Sequence, residues 1–185
     1  MTQQQPRRKF TVQDYMTTPE DKRYQLLDGE IILAPLPTVA HQRVLGRLVR
    51  SLSEILADRK LGQVWAAPLD VVLSEYDAVQ PDISFVSNQR ADIVAGGYVQ
   101  GAPDLIAEIL DPGTAEYDRG YKCQLYGRHG VREYWMVDPD AETIDVLSEG
   151  EDGHVTLNSF GSTGELLTPI MDGLPLNLDD LFRRN

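Results

Sequence analysis

The sequence is poor in cysteine and has no long apolar run. A single cysteine, Cys123, in 185 residues excludes an internal disulfide bond and indicates a reducing compartment. No stretch approaches the roughly 20 consecutive apolar residues of a membrane-spanning helix. The basic residues near the N-terminus have no apolar segment behind them, so we expect no secretory signal. These absences predict a cytoplasmic protein without a membrane segment.

Sequence motifs for nucleotide binding and for a serine nucleophile are also missing. The chain contains no Walker-type Gly-Lys-Ser/Thr loop, no Gly-x-Gly-x-x-Gly and no Gly-x-Ser-x-Gly. The three histidines, His41, His129 and His154, stand far apart, and no second cysteine completes a zinc set. We therefore expect neither an organic cofactor nor a zinc site.

The net charge of −12 argues against tight nonspecific binding to nucleic acid, but the charge is unevenly distributed. Residues 1–60 hold ten Lys/Arg and seven Asp/Glu, a balance of +3, whereas residues 61–185 hold seven and twenty-two, a balance of −15. The acidic part would suit a divalent cation, and the basic part could contact a phosphate backbone. A solvated acidic surface explains the same charges.

The apolar patterns predict a single domain, residues 1–185, in which helices interrupt runs of strands. This arrangement favours a mixed α/β (α+β) domain. The strongest local signal is a hairpin across Asp28-Gly29, and a second hairpin is expected near the C-terminus. The predicted core elements are a helix, three strands, a helix and a strand, at residues 38–60, 63–74, 80–87, 104–110, 115–129 and 131–137.

Acidic residues occur in or beside each of the three consecutive predicted strands. Strand alternation places Asp70, Asp82 and Glu108 on faces with apolar neighbours. Clustered carboxylates repel one another unless a cation or a proton intervenes, which makes Mg²⁺ or Mn²⁺ the natural occupant. Lys122, on the following predicted helix, could stabilise charge or orient an attacking water. The structural alternative is an aspartate at each strand start and a buried Glu108–Lys122 ion pair.

The first long helix carries a second candidate feature. Arg43, Arg47 and Arg50 recur at spacings of four and three, so they share a helix face. That face could contact phosphates, or it could simply be solvated. His41 lies in the first turn, where it could face a site, although a lone histidine is more often a capping or packing residue.

Several motifs together resemble the PD-(D/E)XK nuclease superfamily. Pro81-Asp82 and Glu108-Ile-Leu110 occur within an αβββαβ order, as in that superfamily. More closely, the chain resembles the small stand-alone restriction endonucleases that were once classed as a domain of unknown function. The motifs that carry this resemblance also include Tyr24-Gln-Leu-Leu-Asp-Gly-Glu30, Ala102-Pro-Asp-Leu-Ile-Ala-Glu108, Asp118-Arg-Gly-x-Lys122 and Glu133-Tyr-Trp-Met-Val-Asp-Pro139.

The resemblance implies a restriction-endonuclease-like αβββαβ core with a mixed central sheet and an extra hairpin at each end. It implies that Asp82 and Glu108 bind Mg²⁺ or Mn²⁺ and that Lys122 is the catalytic lysine. Strand alternation adds Asp70 as a possible third acid. The resemblance also implies DNA as the substrate and a homodimer as the assembly.

Two positions differ from the residues usual in that family, which generally has glutamate where this chain has Gln25 and Ser-Pro-Ser where it has Asp111-Pro112-Gly113. Gln25 and His41 are therefore treated as accessory candidates. The main hypothesis is a metal-dependent endonuclease that hydrolyses phosphodiester bonds of DNA. The alternatives are a binding or regulatory module with the nuclease fold and no turnover, and an enzyme directed at RNA.

Overall fold

The structure, a computed structural model, describes residues 8–19, 21–150, 153–171, 173 and 175–183. Within these residues the strands form two six-stranded sheets and one short additional pair. In chain order the strands are β1 Tyr24–Leu27, β2 Glu30–Leu33, β3 Gly62–Ala66, β4 Val71–Ser74, β5 Asp77–Val79, β6 Ile83–Ser87, β7 Val94–Ala95, β8 Tyr98–Gln100, β9 Leu105–Ile109, β10 Glu133–Asp138, β11 Thr143–Gly150, β12 Gly153–Phe160, β13 Glu165–Leu166 and β14 Leu176–Asn177.

Helical segments connect the strands where the spacing of apolar residues changes from about two to about 3.6. The helices are α1 Val12–Tyr15, α2 Val39–Asp58, α3 Ala115–Tyr117 and α4 Cys123–Arg128, with a π-helical turn at Asp118–Lys122 that joins α3 to α4 and 3₁₀ turns at Asn88–Ile93 and Pro169–Met171. Among the described residues, no helix combines the length and the apolar character that a membrane crossing would require.

The central sheet has the strand order β12-β11-β10-β9-β6-β3. It is mixed, because β9 and β10 are parallel whereas its other neighbouring strands are antiparallel. Its first long helix, three strands, second helical segment and next strand follow one another as α2, β3, β6, β9, α3–α4 and β10. The predicted αβββαβ order is therefore confirmed.

The two faces of the central sheet bury different partners. Leu48 and Leu52 of α2 pack on one face, against Phe85 and Trp135. On the other face, Leu125 and Tyr126 of α4 form a cluster together with residues of the second sheet. Every residue of β9 is buried, including Glu108. Strand β9 thus holds an acidic side chain inside the sheet, where burial must be offset by partners.

Local sequence explains where α2 begins and which residues it presents. The hydroxyl of Thr38 accepts the backbone N–H of His41 at 3.2 Å, as an N-cap does. Val44, Leu48, Leu52 and Leu56 recur every four residues and are buried. This cap and this stripe place His41 in the first helical turn, at the end of the central sheet where Asp82 lies.

The prediction of one continuous strand at 63–74 is wrong. β3 belongs to the central sheet, and β4 belongs to the second sheet, whose order is β2-β1-β5-β4-β8-β7. Pro68 lies between them, and proline has no N–H to continue a strand ladder. Asp70 therefore lies in a connection between the two sheets rather than inside a core strand. The predicted hairpin at 24–33 is confirmed.

Candidate active site

The antiparallel pairing of β6 with β9 brings two acidic residues together. Ile83 pairs with Ala107, so Asp82, directly before β6, lies beside Glu108 near the end of β9. Both side chains are buried. The backbone N–H of Asp82 lies 3.4 Å from Oε2 of Glu108. The sheet register alone thus creates a pair of neighbouring carboxylates.

The Asp82 carboxylate is held from two sides. Its Oδ2 accepts the backbone N–H of Ile109 at 2.8 Å and lies 2.9 Å from Nε2 of His41. Burial by itself would lower the pKa of His41, but the hydrogen bond and charge of Asp82 outweigh it and raise that pKa. Within the described residues Oδ1 of Asp82 accepts no hydrogen bond. One oxygen of this carboxylate is therefore fixed, and the other is available to a ligand.

The Glu108 carboxylate is held more closely at one oxygen than at the other. Its Oε1 accepts hydrogen bonds from Nζ of Lys122 at 2.9 Å and from the hydroxyl of Tyr126 at 2.7 Å. Burial, together with the negative charges of Asp118 and Asp82, raises the pKa of Glu108 to about 7, although Lys122 and Tyr126 oppose the shift. The carboxylate is therefore in an environment that a further cation would stabilise.

Lys122 lies between two carboxylates. Its Nζ is 2.9 Å from Oε1 of Glu108 and 2.9 Å from Oδ1 of Asp118, four residues earlier. Burial would lower the pKa of Lys122, but the two carboxylates outweigh it and raise that pKa, so the ammonium stays charged. Both Asp118 and Lys122 lie in the π-helical turn, a rare local structure that is frequent at functional sites.

These side chains surround one small cavity of about 40 Å³. His41, Asp82, Glu108 and Lys122 line it, as does Gln25. The structure thus brings together five of the residues singled out in the sequence. A volume of this size holds an ion with a water or two, since one water occupies about 30 Å³ in the liquid.

The oxygen atoms in this cavity suit a hard divalent cation. Within the described residues there is no group of three or more His, Cys, Asp or Glu side chains that could hold a metal ion. Oδ1 of Asp82 and Oε2 of Glu108 nevertheless belong to residues lining the cavity, as does the buried Oε1 of Gln25, which has no hydrogen-bond partner. Mg²⁺ commonly binds one or two carboxylates and keeps several waters, so the donors present fit Mg²⁺ or Mn²⁺.

The structure places the other predicted site residues away from this cavity. Oδ1 of Asp70 accepts the hydroxyl of Tyr15 at 2.6 Å and Nε2 of Gln80 at 3.0 Å. Asp70 does not line the cavity that Asp82 and Glu108 share. The reason is the break at Pro68, which removes Asp70 from the strand face on which alternation had placed it.

The arginine face of α2 is likewise separate from the cavity. Arg43 is exposed. Nη1 of Arg47 donates to the backbone carbonyl of Leu181 at 3.3 Å, so this arginine anchors the C-terminal segment. Exposed Arg50 lies 3.8 Å from Glu54, an ion pair within the helix. The arginine that does line the cavity is Arg23, which local sequence patterns did not single out.

Comparison with solved structures identifies the fold. A crystal structure from Anabaena variabilis, described as "a putative nuclease belonging to DUF820", matches with a TM-score of 0.77 and 22% identity, covering 94% of this chain and 97% of that one. At this identity the likeness establishes the fold, which is the restriction-endonuclease-like α/β fold with a mixed sheet.

The family is established by sequence. Residues 12–179 match the Uma2 family, described as "Putative restriction endonuclease", and the chain belongs to that family. "Uncharacterized protein slr1290" of Synechocystis sp. is 24% identical over 181 residues, which cover 95% of this chain and 92% of that protein. The predicted family resemblance is confirmed.

Proposed function

We propose that this chain is a divalent-metal-dependent endonuclease that hydrolyses phosphodiester bonds of DNA. The observation that carries the proposal is the meeting of Asp82, Glu108 and Lys122 in one cavity. Oδ2 of Asp82 and Oε1 of Glu108 are fixed by short hydrogen bonds. Among the described residues, Oδ1 of Asp82 accepts none, and Oε2 of Glu108 accepts only the longer one from the N–H of Asp82 at 3.4 Å. Membership of the Uma2 family supports the same chemistry.

In this proposal Asp82 and Glu108 hold Mg²⁺ or Mn²⁺, and Gln25 contributes a neutral amide oxygen from the same cavity. When bound, such an ion polarises phosphate oxygens and lowers the pKa of a coordinated water. His41 and the backbone N–H of Ile109 keep the Asp82 carboxylate in place. Tyr126 does the same for Glu108.

Lys122 has a separate role. An ammonium has three N–H donors, and its two carboxylate contacts leave one for a water or a phosphate oxygen. Because its pKa is raised, the ammonium keeps its charge near neutral pH. A fixed positive charge in a buried site stabilises negative charge that develops on a phosphate during attack. Enzymes of this fold commonly cut as dimers, so we also propose a homodimer.

A nuclease-fold module that binds without cutting is the second candidate. The observation that favours it is Gln25, whose neutral amide occupies a cavity position at which a carboxylate would bind a cation more strongly. A module of this kind need not bind a metal, whereas the nuclease must. Metal binding and cleavage therefore separate the two.

The test is cleavage of supercoiled and linear DNA with Mg²⁺ or Mn²⁺ by the parent protein and by Glu108→Gln. The exposed Glu116→Gln is the control, since it makes the same chemical change on the helical segment near the site. We expect Glu108→Gln to reduce cleavage at least about 100-fold, the upper end of what loss of an outer-shell partner costs. Equal cleavage by the two variants would overturn the assigned site.

A further inference from the structure

We infer that Arg23 forms a phosphate-binding subsite beside the acidic pair and that Gln80 and Asp70 position it. The inference rests on the proposed function, because the anion is taken to be a phosphate of a nucleic-acid backbone. Arg23 is half-buried, directly precedes β1 and lines the same cavity as Asp82 and Glu108. The side chain therefore borders the cavity in which Asp82 and Glu108 would hold the proposed cation.

Arg23 has no carboxylate partner within the described residues. Among the residues that the structure describes, its side chain makes one hydrogen bond, from Nε to Oε1 of Gln80 at 3.3 Å. Lys122, the other permanent cation lining the cavity, contacts two carboxylates. A guanidinium has five N–H donors in a planar fork. The bond to Gln80 leaves the four N–H groups of the terminal nitrogens for an anion, and that fork matches phosphate oxygens.

The hydrogen-bond network dictates which way Gln80 points. Nε2 of Gln80 donates to Oδ1 of Asp70 at 3.0 Å, and the hydroxyl of Tyr15 donates to the same oxygen at 2.6 Å. An ionised carboxylate only accepts hydrogen bonds, so the NH₂ group of Gln80 must face Asp70. The amide oxygen then faces Arg23. Asp70 thus acts on the cavity through Gln80 and Arg23, as a positioning residue.

The size of the cavity indicates what kind of group enters it. Its volume of about 40 Å³ is far below the roughly 300 Å³ of pockets that enclose whole small molecules. A whole nucleoside exceeds this volume, so the part of a substrate that reaches the acidic pair must be a small group. An arginine at this position, with no carboxylate partner among the described residues, fits a phosphate better than a base or a sugar.

The first test compares Arg23→Ala and Arg23→Lys with the control Arg59→Ala. Arg59 is exposed and follows the far end of α2, roughly 25 Å from His41 by helical rise. We expect Arg23→Ala to raise the KM for DNA roughly 10-fold with a smaller change in kcat, because a bidentate phosphate contact is lost. Arg23→Lys keeps the positive charge but loses the planar fork of N–H donors. Its KM should therefore lie between those of Arg59→Ala and Arg23→Ala.

Salt dependence gives a readout that a purely structural role would not change. Loss of one phosphate contact should reduce the slope of log binding constant against log salt by about 0.9. An Arg23→Ala protein with the KM and slope of Arg59→Ala would overturn the subsite while leaving the nuclease proposal intact.

A second probe separates the subsite from turnover. Thymidine 3′,5′-bisphosphate, titrated calorimetrically into the protein with Mg²⁺, reports phosphate binding without cleavage. If the parent protein does not cut DNA but binds this probe, and Arg23→Ala loses it, the subsite stands and the nuclease proposal fails. If the parent cuts DNA and Arg23→Ala binds the probe as tightly as the parent, the subsite is wrong.

The positioning role of Asp70 is tested by coupling. Asp70→Asn removes the constraint on the Gln80 amide, so we expect a smaller rise in KM than for Arg23→Ala. In an Arg23→Ala background the same substitution should have no further effect on KM, because the two act through one contact. Additive effects of the two substitutions on KM would contradict the proposal that Asp70 positions Arg23 through Gln80.

Discussion

At each end of the β6–β9 pair an aspartate accepts a backbone N–H of the other strand, but the charges around the two aspartates differ. At one end Asp82 precedes β6, and its carboxylate accepts the N–H of Ile109, the last residue of β9, at 2.8 Å. At the other end Asp104 precedes β9, and its carboxylate accepts the N–H of Ser87, the last residue of β6, at 2.8 Å. Both aspartates are buried.

The neighbours of each aspartate decide what it can do. Asp104 lies 3.3 Å from Arg90 and 3.5 Å from Arg132, so two cations neutralise it. Burial would raise the pKa of Asp104, but the hydrogen bonds from Ser87 and the charge of Arg90 outweigh it and lower that pKa. This end is a closed ionic cluster with no further cation required.

Asp82 instead adjoins a second acid, Glu108, whose pKa is raised to about 7. Its end of the strand pair lines a cavity and would be stabilised by a cation. One strand pair thus carries an acid that stabilises the fold and an acid suited to chemistry. Neighbouring charges distinguish the two more clearly than burial, which they share.

The largest expected effect comes from Lys122→Met. This substitution leaves Glu108 and Asp118 buried without their shared cation, and breaking a buried pair in this way costs about 3–5 kcal/mol. We expect lower stability in urea unfolding and loss of cleavage in whatever protein remains folded. Lys60→Met, at an exposed position, is the control. A Lys122→Met protein as stable and active as this control would contradict the proposed cluster.

Asp104→Asn should affect stability and spare activity. It replaces charged hydrogen bonds by neutral ones, and bonds to charged groups contribute about 1.5–3 kcal/mol. Cleavage per folded molecule should match the parent protein. Reduced cleavage at full folding would mean that this end of the strand pair also takes part in function.

The same substitution makes a prediction about acid stability. The folded pKa of Asp104 is below its ordinary value of 3.8, so its contribution to stability is present above that value. It is lost as the pH falls from about 4 through the folded pKa. Asp104→Asn should therefore flatten the decline in unfolding free energy over that window. An unchanged acid profile would show that Asp104 contributes nothing to it.

The smallest effect is expected for His41. His41→Leu removes the contact to Asp82 without adding a charge, and loss of such an outer-shell partner reduces metal affinity or activity roughly 10–100-fold. His41→Gln retains a donor and should recover part of the loss. Mn²⁺ titration calorimetry and cleavage rates measure both. Equal Mn²⁺ affinity and equal cleavage in His41→Leu and the parent would contradict a supporting role for His41.

Much of the fold follows from local sequence patterns. The Asp28-Gly29 hairpin and the apolar stripe of α2 depend on residues close in sequence, and the structure has both. Strand alternation also indicates that Asp82 and Glu108 could meet. The continuous strand at 63–74 fails because a single proline, Pro68, outweighs the apolar pattern around it.

The supporting residues of the site were harder to predict. Asp118 lies four residues before Lys122, and helical spacing could have indicated that pair. Arg23 gives no such signal, because its partner Gln80 is 57 residues away and reaches it through the second sheet. The contact of Asp70 with Tyr15, 55 residues away, is likewise one that no period in the sequence encodes.

The most direct test of the contrast between the two ends is Mn²⁺ binding by calorimetry to the parent protein, Asp82→Asn and Asp104→Asn. We predict that the parent and Asp104→Asn bind Mn²⁺ with similar affinity. Asp82→Asn should stay folded and bind at least about 10-fold more weakly, since it loses a charged ligand. Equal binding by Asp82→Asn and the parent, or loss of binding in folded Asp104→Asn alone, would contradict the assignment of the cation site to the Asp82 end.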